Sequence, residues 1–138
     1  MLEVRRQEYI DNLNGEYGAD MSPHEIEVGG SFRVRSYFWS GKNYLDITAF
    51  AIGDETSVGF NSHKGDCFRM HLHTPSRTIE INDAMSGYSK YSVNENIPSK
   101  ADITNAGSFA KHGITSLFST TNNQIYRIEG NGVYHEIY

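Results

Sequence analysis

Two stretches of two-residue alternation, "SFRVRSYFW" at 31–39 and "GDCFRMHLHT" at 65–74, constrain the fold more than any other feature of this chain. In the first, Phe32, Val34 and Phe38 fall on one side and Arg33, Arg35, Tyr37 and Trp39 on the other. In the second, Phe68, Met70 and Leu72 share one face, and Cys67, Arg69, His71 and His73 share the other. A period of two belongs to a half-buried strand, with one face on a core and one on something polar. The chain is therefore expected to be built around a sheet.

The remaining segments fit around that sheet. "LEVRRQEYIDNL" places Leu2, Arg6, Tyr9, Ile10 and Leu13 at helical spacing and predicts a helix ending near "NGEYG". "SGKN" is turn chemistry, and "YLDITAFAI" reads as a hairpin partner of the first alternating strand. Pro75 ends the second, because proline has no N–H for a ladder and restricts Thr74 before it. "RTIEI" predicts a short strand, and "NDAMSGYSKYSVNENIP" a long loop with room for one strand. "SKADITNAGSFAKHG" predicts a second helix, with Ser99 and Asp102 as a capping-box start and Gly113 as its stop. The last 25 residues read as strand, turn, strand, turn, strand. The expected fold is a single α+β domain over 1–138, a twisted antiparallel sheet with an N-terminal helix and one late helix.

Composition narrows the function classes. With 138 residues, 38% of them hydrophobic, the chain is long enough to bury a core and too apolar for a disordered segment. No apolar run approaches the ~18 residues of a membrane span, and the N-terminus lacks a signal-type stretch. A soluble protein is expected, either cytoplasmic or a domain of an exported chain, without membrane partners. The single cysteine excludes an intrachain disulfide and a cysteine-based zinc cage, and Cys67 is expected to be a small buried hydrophobe. A net charge of −5 gives no global field for nucleic acid, although a local basic face remains able to hold phosphates.

On a strand, Arg69, His71 and His73 project the same way, with next-but-one neighbours roughly 7 Å apart. Arg33 and Arg35 of the neighbouring strand are expected to add to that face. It would present cations for an anionic ligand and imidazoles that exchange protons near neutral pH. The plain alternative is a solvated outer face, where arginine and histidine are ordinary residents. A third reading is a metal site on His71-x-His73, because alternate strand residues can share one ion, with Glu80 as a carboxylate ligand. A thiol site on Cys67 with His112 as base is a fourth, although thiol enzymes usually place the cysteine at a helix N-terminus. Trp39 has no assignable role, and His24 and His63 are expected to be inert loop residues.

Two resemblances sharpen these readings. Gly65, His71, His73, Glu80 and Gly87 resemble the first motif of the cupin family, with a longer spacer between His73 and Glu80 than usual. That resemblance implies one divalent metal ion held by His71, His73, Glu80 and His112. "SLFSTTNNQIYRIEGNGVYHEIY" resembles the closing strand pair of barnase-like microbial ribonucleases and related toxin domains. It implies RNA cleavage without a metal cofactor, by attack of the 2′-hydroxyl. His135 or His112 would be the acid and Glu80 or His71 the base, while Arg69, Arg127 and Lys111 hold phosphate. Arg33, Arg35 and His73 would add substrate contacts, and RNA and an immunity protein would be the partners. "LFSTT" is faintly similar to a strand of ADP-ribosyltransferases, which need a catalytic glutamate further downstream than this chain provides. Tyr126, Tyr134 and Tyr138 are expected to pack on the closing hairpin. Three functions stay open: a small ribonuclease, a metal-binding β-protein, and a non-catalytic binding or immunity-type module.

Overall fold

The structure is a computed structural model that describes residues 1–22, 25–54, 57–85 and 87–138. Helix α1 spans Leu2–Tyr17 and stops at Gly18, whose φ of 65° places it in the left-handed region that glycine occupies without a steric penalty. Its buried stripe is Leu2, Arg6 and Ile10, whereas Tyr9 is exposed and Leu13 half-buried. Strands β1 (Val28–Tyr37) and β2 (Lys42–Ile52) form the expected antiparallel hairpin. A register shift lies between Ser31 and Phe32.

Strand β1 begins earlier than its alternation suggested, because Gly29 and Gly30 are already strand residues. A Cβ on Gly29 would lie 2.2 Å from Phe60 Cε1, so the missing side chain makes room for that ring.

Strand β3 (Phe68–Leu72) pairs antiparallel with β1. Two further strands, β4 (Arg77–Asp83) and β5 (Gly87–Val93), make a separate two-stranded sheet. Here the expected loop is half of a hairpin, with Arg77 opposite Val93 and Asp83 opposite Gly87. Helix α2 (Lys100–Ala110) starts with the expected capping box at Ser99. Strands β6 (Thr115–Ser119), β7 (Ile125–Ile128) and β8 (Tyr134–Glu136) close the chain.

The larger sheet has the order β2-β1-β3-β6-β7-β8, and the whole is an open α+β architecture. It is mixed, not wholly antiparallel, because β3 and β6 run parallel, with Phe68 opposite Thr115 and Leu72 opposite Ser119. Parallel neighbours need a long crossover that packs on a face of the sheet, and the segment carrying α2 is that crossover.

The alternation in β3 sorts the two faces. Phe68, Met70 and Leu72 join Leu2, Ile10, Val28 and Phe32 in a core beneath α1. The opposite face carries Arg69, His71 and His73 and is covered by α2, with a second core of Ala106, Phe118 and Ile128. The histidine face is thus interior, not a solvated outer surface. Among the described residues, no helix is long and apolar enough to cross a membrane.

Candidate functional site

The site forms where the C-terminal end of β3 meets the N-terminal turn of α2. A crossover helix runs back along the sheet, so its first turn returns to the carboxyl ends of the parallel pair, where α/β units commonly bind ligands. Ser99 caps this turn: the Asp102 N–H donates to Ser99 Oγ at 3.1 Å, and the Ser99 N–H donates to Asp102 Oδ2 at 2.9 Å. The capping box fixes Asp102 while leaving its carboxylate able to serve a second neighbour.

That neighbour is the histidine pair. Asp102 Oδ2 lies 3.4 Å from His71 Nε2 and 3.4 Å from His73 Nε2, and the two imidazole nitrogens are 2.9 Å apart. The side chains of His71 and His73 are only 13% and 10% exposed. His73 Nδ1 donates to the Glu95 carbonyl at 2.7 Å; a carbonyl only accepts, so a neutral His73 presents its Nε2 lone pair to the cluster. Glu95 is itself anchored, because its carboxylate accepts from the Thr121 N–H at 3.2 Å and from Thr121 Oγ1. The ring of Phe118, fully buried, stacks on His73 at 4.5 Å and on Tyr126 at 5.0 Å.

Glu27, just before β1, completes the group. It is buried, and a carboxylate oxygen of Glu27 lies within 4.8 Å of the ligating nitrogens of His71 and His73. Beyond it opens a cavity of about 260 Å³, whose walls include Glu27, His73, Thr74, Arg77, Ser99 and Asp102.

Electrostatics follow from burial and from these contacts. Burial pushes Glu27 up to about 7, against the lowering pull of His73. Burial holds His71 below its ordinary value although Asp102 works in the other direction. For His73, burial also lowers, but the hydrogen bonds to Asp102 and the Glu95 carbonyl outweigh it and the value rises. Burial works to raise Asp102, yet the two imidazoles hold it well below the usual carboxylate range.

Arg69 lies beside the cluster, between the rings of Phe60 at 4.2 Å and Phe109 at 3.8 Å. The structure thus brings together Arg69, His71 and His73. The other residues singled out from the sequence lie elsewhere. Glu80 is exposed on β4, 3.8 Å from Lys90. Lys111 is the C-cap of α2, and His112 is exposed just after it. The ten residues from Asp102 to His112 separate them by roughly 15 Å at the helical rise. Arg33 donates to the Lys64 carbonyl at 2.7 Å and pairs with Asp66, and Arg35 pairs with Asp46. Arg127 and His135 face each other across β7 and β8 and share Glu129, at 3.4 and 3.9 Å.

Several smaller expectations are also resolved. Cys67 is exposed, not buried: its backbone joins the ladders to Phe32 and Thr115, and its thiol is left outside. Tyr126 packs as expected, whereas Tyr138 is exposed. His63 is a loop residue whose N–H donates to Asp66, and His24 lies outside the described residues.

Sequence reasoning missed three acidic residues. Asp102 was legible as a helix cap, and the capping role concealed the second one. Glu27 and Glu95 carry no local signal, because only the fold brings them to β3.

Comparison with protein-family models, with curated proteins and with solved structures finds no match.

Three donor atoms separated by 2.9, 3.4 and 3.4 Å have the spacing of neighbouring ligands on one ion. For metal–donor bonds of roughly 2.0–2.1 Å, tetrahedral or octahedral geometry puts adjacent donors roughly 2.9–3.4 Å apart. The residues therefore fit a divalent transition metal, with His71, His73 and Asp102 as candidate ligands and the buried Glu27 carboxylate as a further oxygen donor close by.

Proposed function

We propose that this protein binds one divalent transition-metal ion through His71, His73 and Asp102, with Glu27 and the adjoining cavity leaving room for water and substrate. The observation that carries the reading is the triangle of His71 Nε2, His73 Nε2 and Asp102 Oδ2, with edges of 2.9, 3.4 and 3.4 Å. Its outer partners support it. A ligating imidazole ordinarily donates its other N–H to a carbonyl or carboxylate, as His73 does to Glu95. A metal in such a site would act as a Lewis acid and activate bound water. Glu27 would accept a hydrogen bond from that water, and Phe118 would hold the His73 ring in its plane. Compared with the sequence reading, Asp102 and Glu27 replace Glu80 and His112 as the oxygen and remaining donors.

Equilibrium dialysis of untagged protein against zinc tests this. One equivalent bound by the native chain, and none retained by His71→Ala or Asp102→Ala, is the expected result. No stoichiometric uptake by the native chain overturns it.

A second reading keeps the small ribonuclease that the closing strands suggested. It is favoured by one observation: Asp102 and His73 line a cavity, and the same carboxylate also contacts His71 behind them, an arrangement able to move protons without a metal. In that reading His71 and His73 are the acid–base pair, and Glu80, His112 and His135 take no part. RNA cleavage in excess EDTA that leaves 2′,3′-cyclic phosphates would support it, and intact RNA would remove it.

A further inference from the structure

Strand β3 accompanies β1 only from Val28 to Phe32. Beyond Phe32 the β1–β2 hairpin leaves the sheet as a two-stranded ribbon, with 33–37 paired to 42–46 and no third strand among the described residues. A ribbon of this kind is marginal in water by itself and gains stability by packing one face on something. Cross-strand partners share a face, so Phe32 with Ile47 and then Val34 with Leu45 line one side. The other side carries the ion pairs Arg33–Asp66 and Arg35–Asp46. On the apolar side Val34 and Leu45 are 47% and 44% exposed, and at the tip Phe38 and Trp39, packed edge to face, are 93% and 73% exposed. Contiguous apolar exposure of this extent marks an interaction surface.

At the base of the same face lies an open apolar groove of about 300 Å³, whose walls include Leu2, Phe32, Leu45, Phe68 and Met70. Among the described residues, Glu3 is the one charged side chain in those walls.

We propose that this face is the interface of a two-fold homodimer, in which the ribbons of two copies pack face to face in opposite directions and each places its Phe38–Trp39 tip in the other's groove. One chain carries both halves of the contact. Groove and tip are separated by the run from Phe32 to Phe38, about 20 Å at the rise of a strand. A two-fold axis midway along that run brings both tips onto both grooves at once, so the contact closes on itself. Charge agrees with this pairing: Lys42, exposed beside the tip, arrives at the Glu3 of the opposite groove. The area is also sufficient. Aromatic side chains bury about 150–250 Å² each, so four of them remove at least about 600 Å². The surfaces they cover lose a comparable amount, which reaches the roughly 1,200–2,000 Å² of a stable interface. A bilayer surface would take the two rings but leave the groove open, whereas a second copy covers both.

The experiment is sedimentation equilibrium of the full chain over a range of concentrations, with tryptophan emission read on the same samples. Trp39 is the only tryptophan, so emission reports the tip alone. The mass should rise from one chain to two, and Trp39 emission should move to shorter wavelength over the same range. Leu45→Glu puts a carboxylate in the groove at a half-exposed position and leaves the tip intact. It should weaken association at least about 30-fold, the effect of losing a central contact residue, and keep the long-wavelength emission. Should that variant fail to fold, Phe38→Ser at the tip makes the same test and should give the same weakening. A native chain that stays single up to about 0.1 mM overturns the proposal. A dimer whose Trp39 emission does not shift, or one unaffected by the folded variant, overturns it as well, because another surface then makes the contact. A single chain whose emission shifts only when anionic phospholipid vesicles are added assigns the tip to a membrane surface instead.

Discussion

Gly29→Ala tests how the wall of the site is seated. An alanine Cβ would stand 2.2 Å from Phe60 Cε1, 2.7 Å from Cδ1 and 3.0 Å from Cζ. Carbon atoms are comfortable at roughly 3.5–4.0 Å, so one partner must move by about 1.5 Å. Strand β1 cannot, since Gly29 is paired with Ala51 on one side and His71 on the other. The ring must shift, and it is the ring that lies 4.2 Å from the Arg69 guanidinium. Overpacking of this kind costs about 1–3 kcal/mol, and loss of a desolvated cation–π contact adds about 1–2 kcal/mol. Alanine recovers about 0.5–1 kcal/mol by restricting the unfolded chain. The net expectation is a loss of about 1–4 kcal/mol, read by equilibrium urea unfolding in EDTA. The decisive arm is the double-mutant cycle. With Phe60→Ala already in place the clash is gone, so adding Gly29→Ala should be neutral or slightly stabilising. A Gly29→Ala penalty of the same size in both backgrounds, or none in the native one, would refute the reasoning.

Other expectations follow from the same geometry. In metal-free protein, Glu27 has a folded-state value of about 7 against an ordinary 4.5, so its contribution to stability is full below about 4.5 and is lost as pH rises through about 7. A gap of this size amounts to about 3 kcal/mol, so Glu27→Gln should match the native chain near pH 4.5 and exceed it near pH 8 by urea unfolding. His73, raised in part by Glu27, slopes the same way and His71, lowered, the opposite way, so the difference between native chain and variant reports Glu27 together with its coupling to His73. Ser99→Ala removes one half of the capping box, and thermal unfolding should show a loss of about 1 kcal/mol. The same variant should weaken zinc binding, because Asp102 loses its fixed position, whereas Ser108→Ala in the same helix should leave zinc binding unchanged.

The sequence carried the local half of this account. Alternation in 67–73 sorted Phe68, Met70 and Leu72 from Arg69, His71 and His73 correctly, because a strand's period is a property of the backbone. The capping box at Ser99 and both turns of the closing strands were legible for the same reason: the residues that make them are neighbours in the chain. What covers the histidine face was not legible. Its cover, α2, arrives by a crossover between β3 and β6, and no local pattern distinguishes parallel from antiparallel partners for a strand of five residues. Glu80, the fourth residue of β4 in a separate two-stranded sheet, was the acid the motif spacing pointed to, while Asp102 is the one that lies 3.4 Å from both imidazoles. Gly29 carried no local signal of its role, and only the position of Phe60 shows that it serves a close approach.

X-ray absorption at the zinc edge of the stoichiometric complex tests the central claim most directly. A first shell of nitrogen and oxygen at about 2.0–2.1 Å, with the outer-atom scattering of two imidazoles, is the predicted result. A complex without imidazole scattering, or with that of only one ring, would contradict the account.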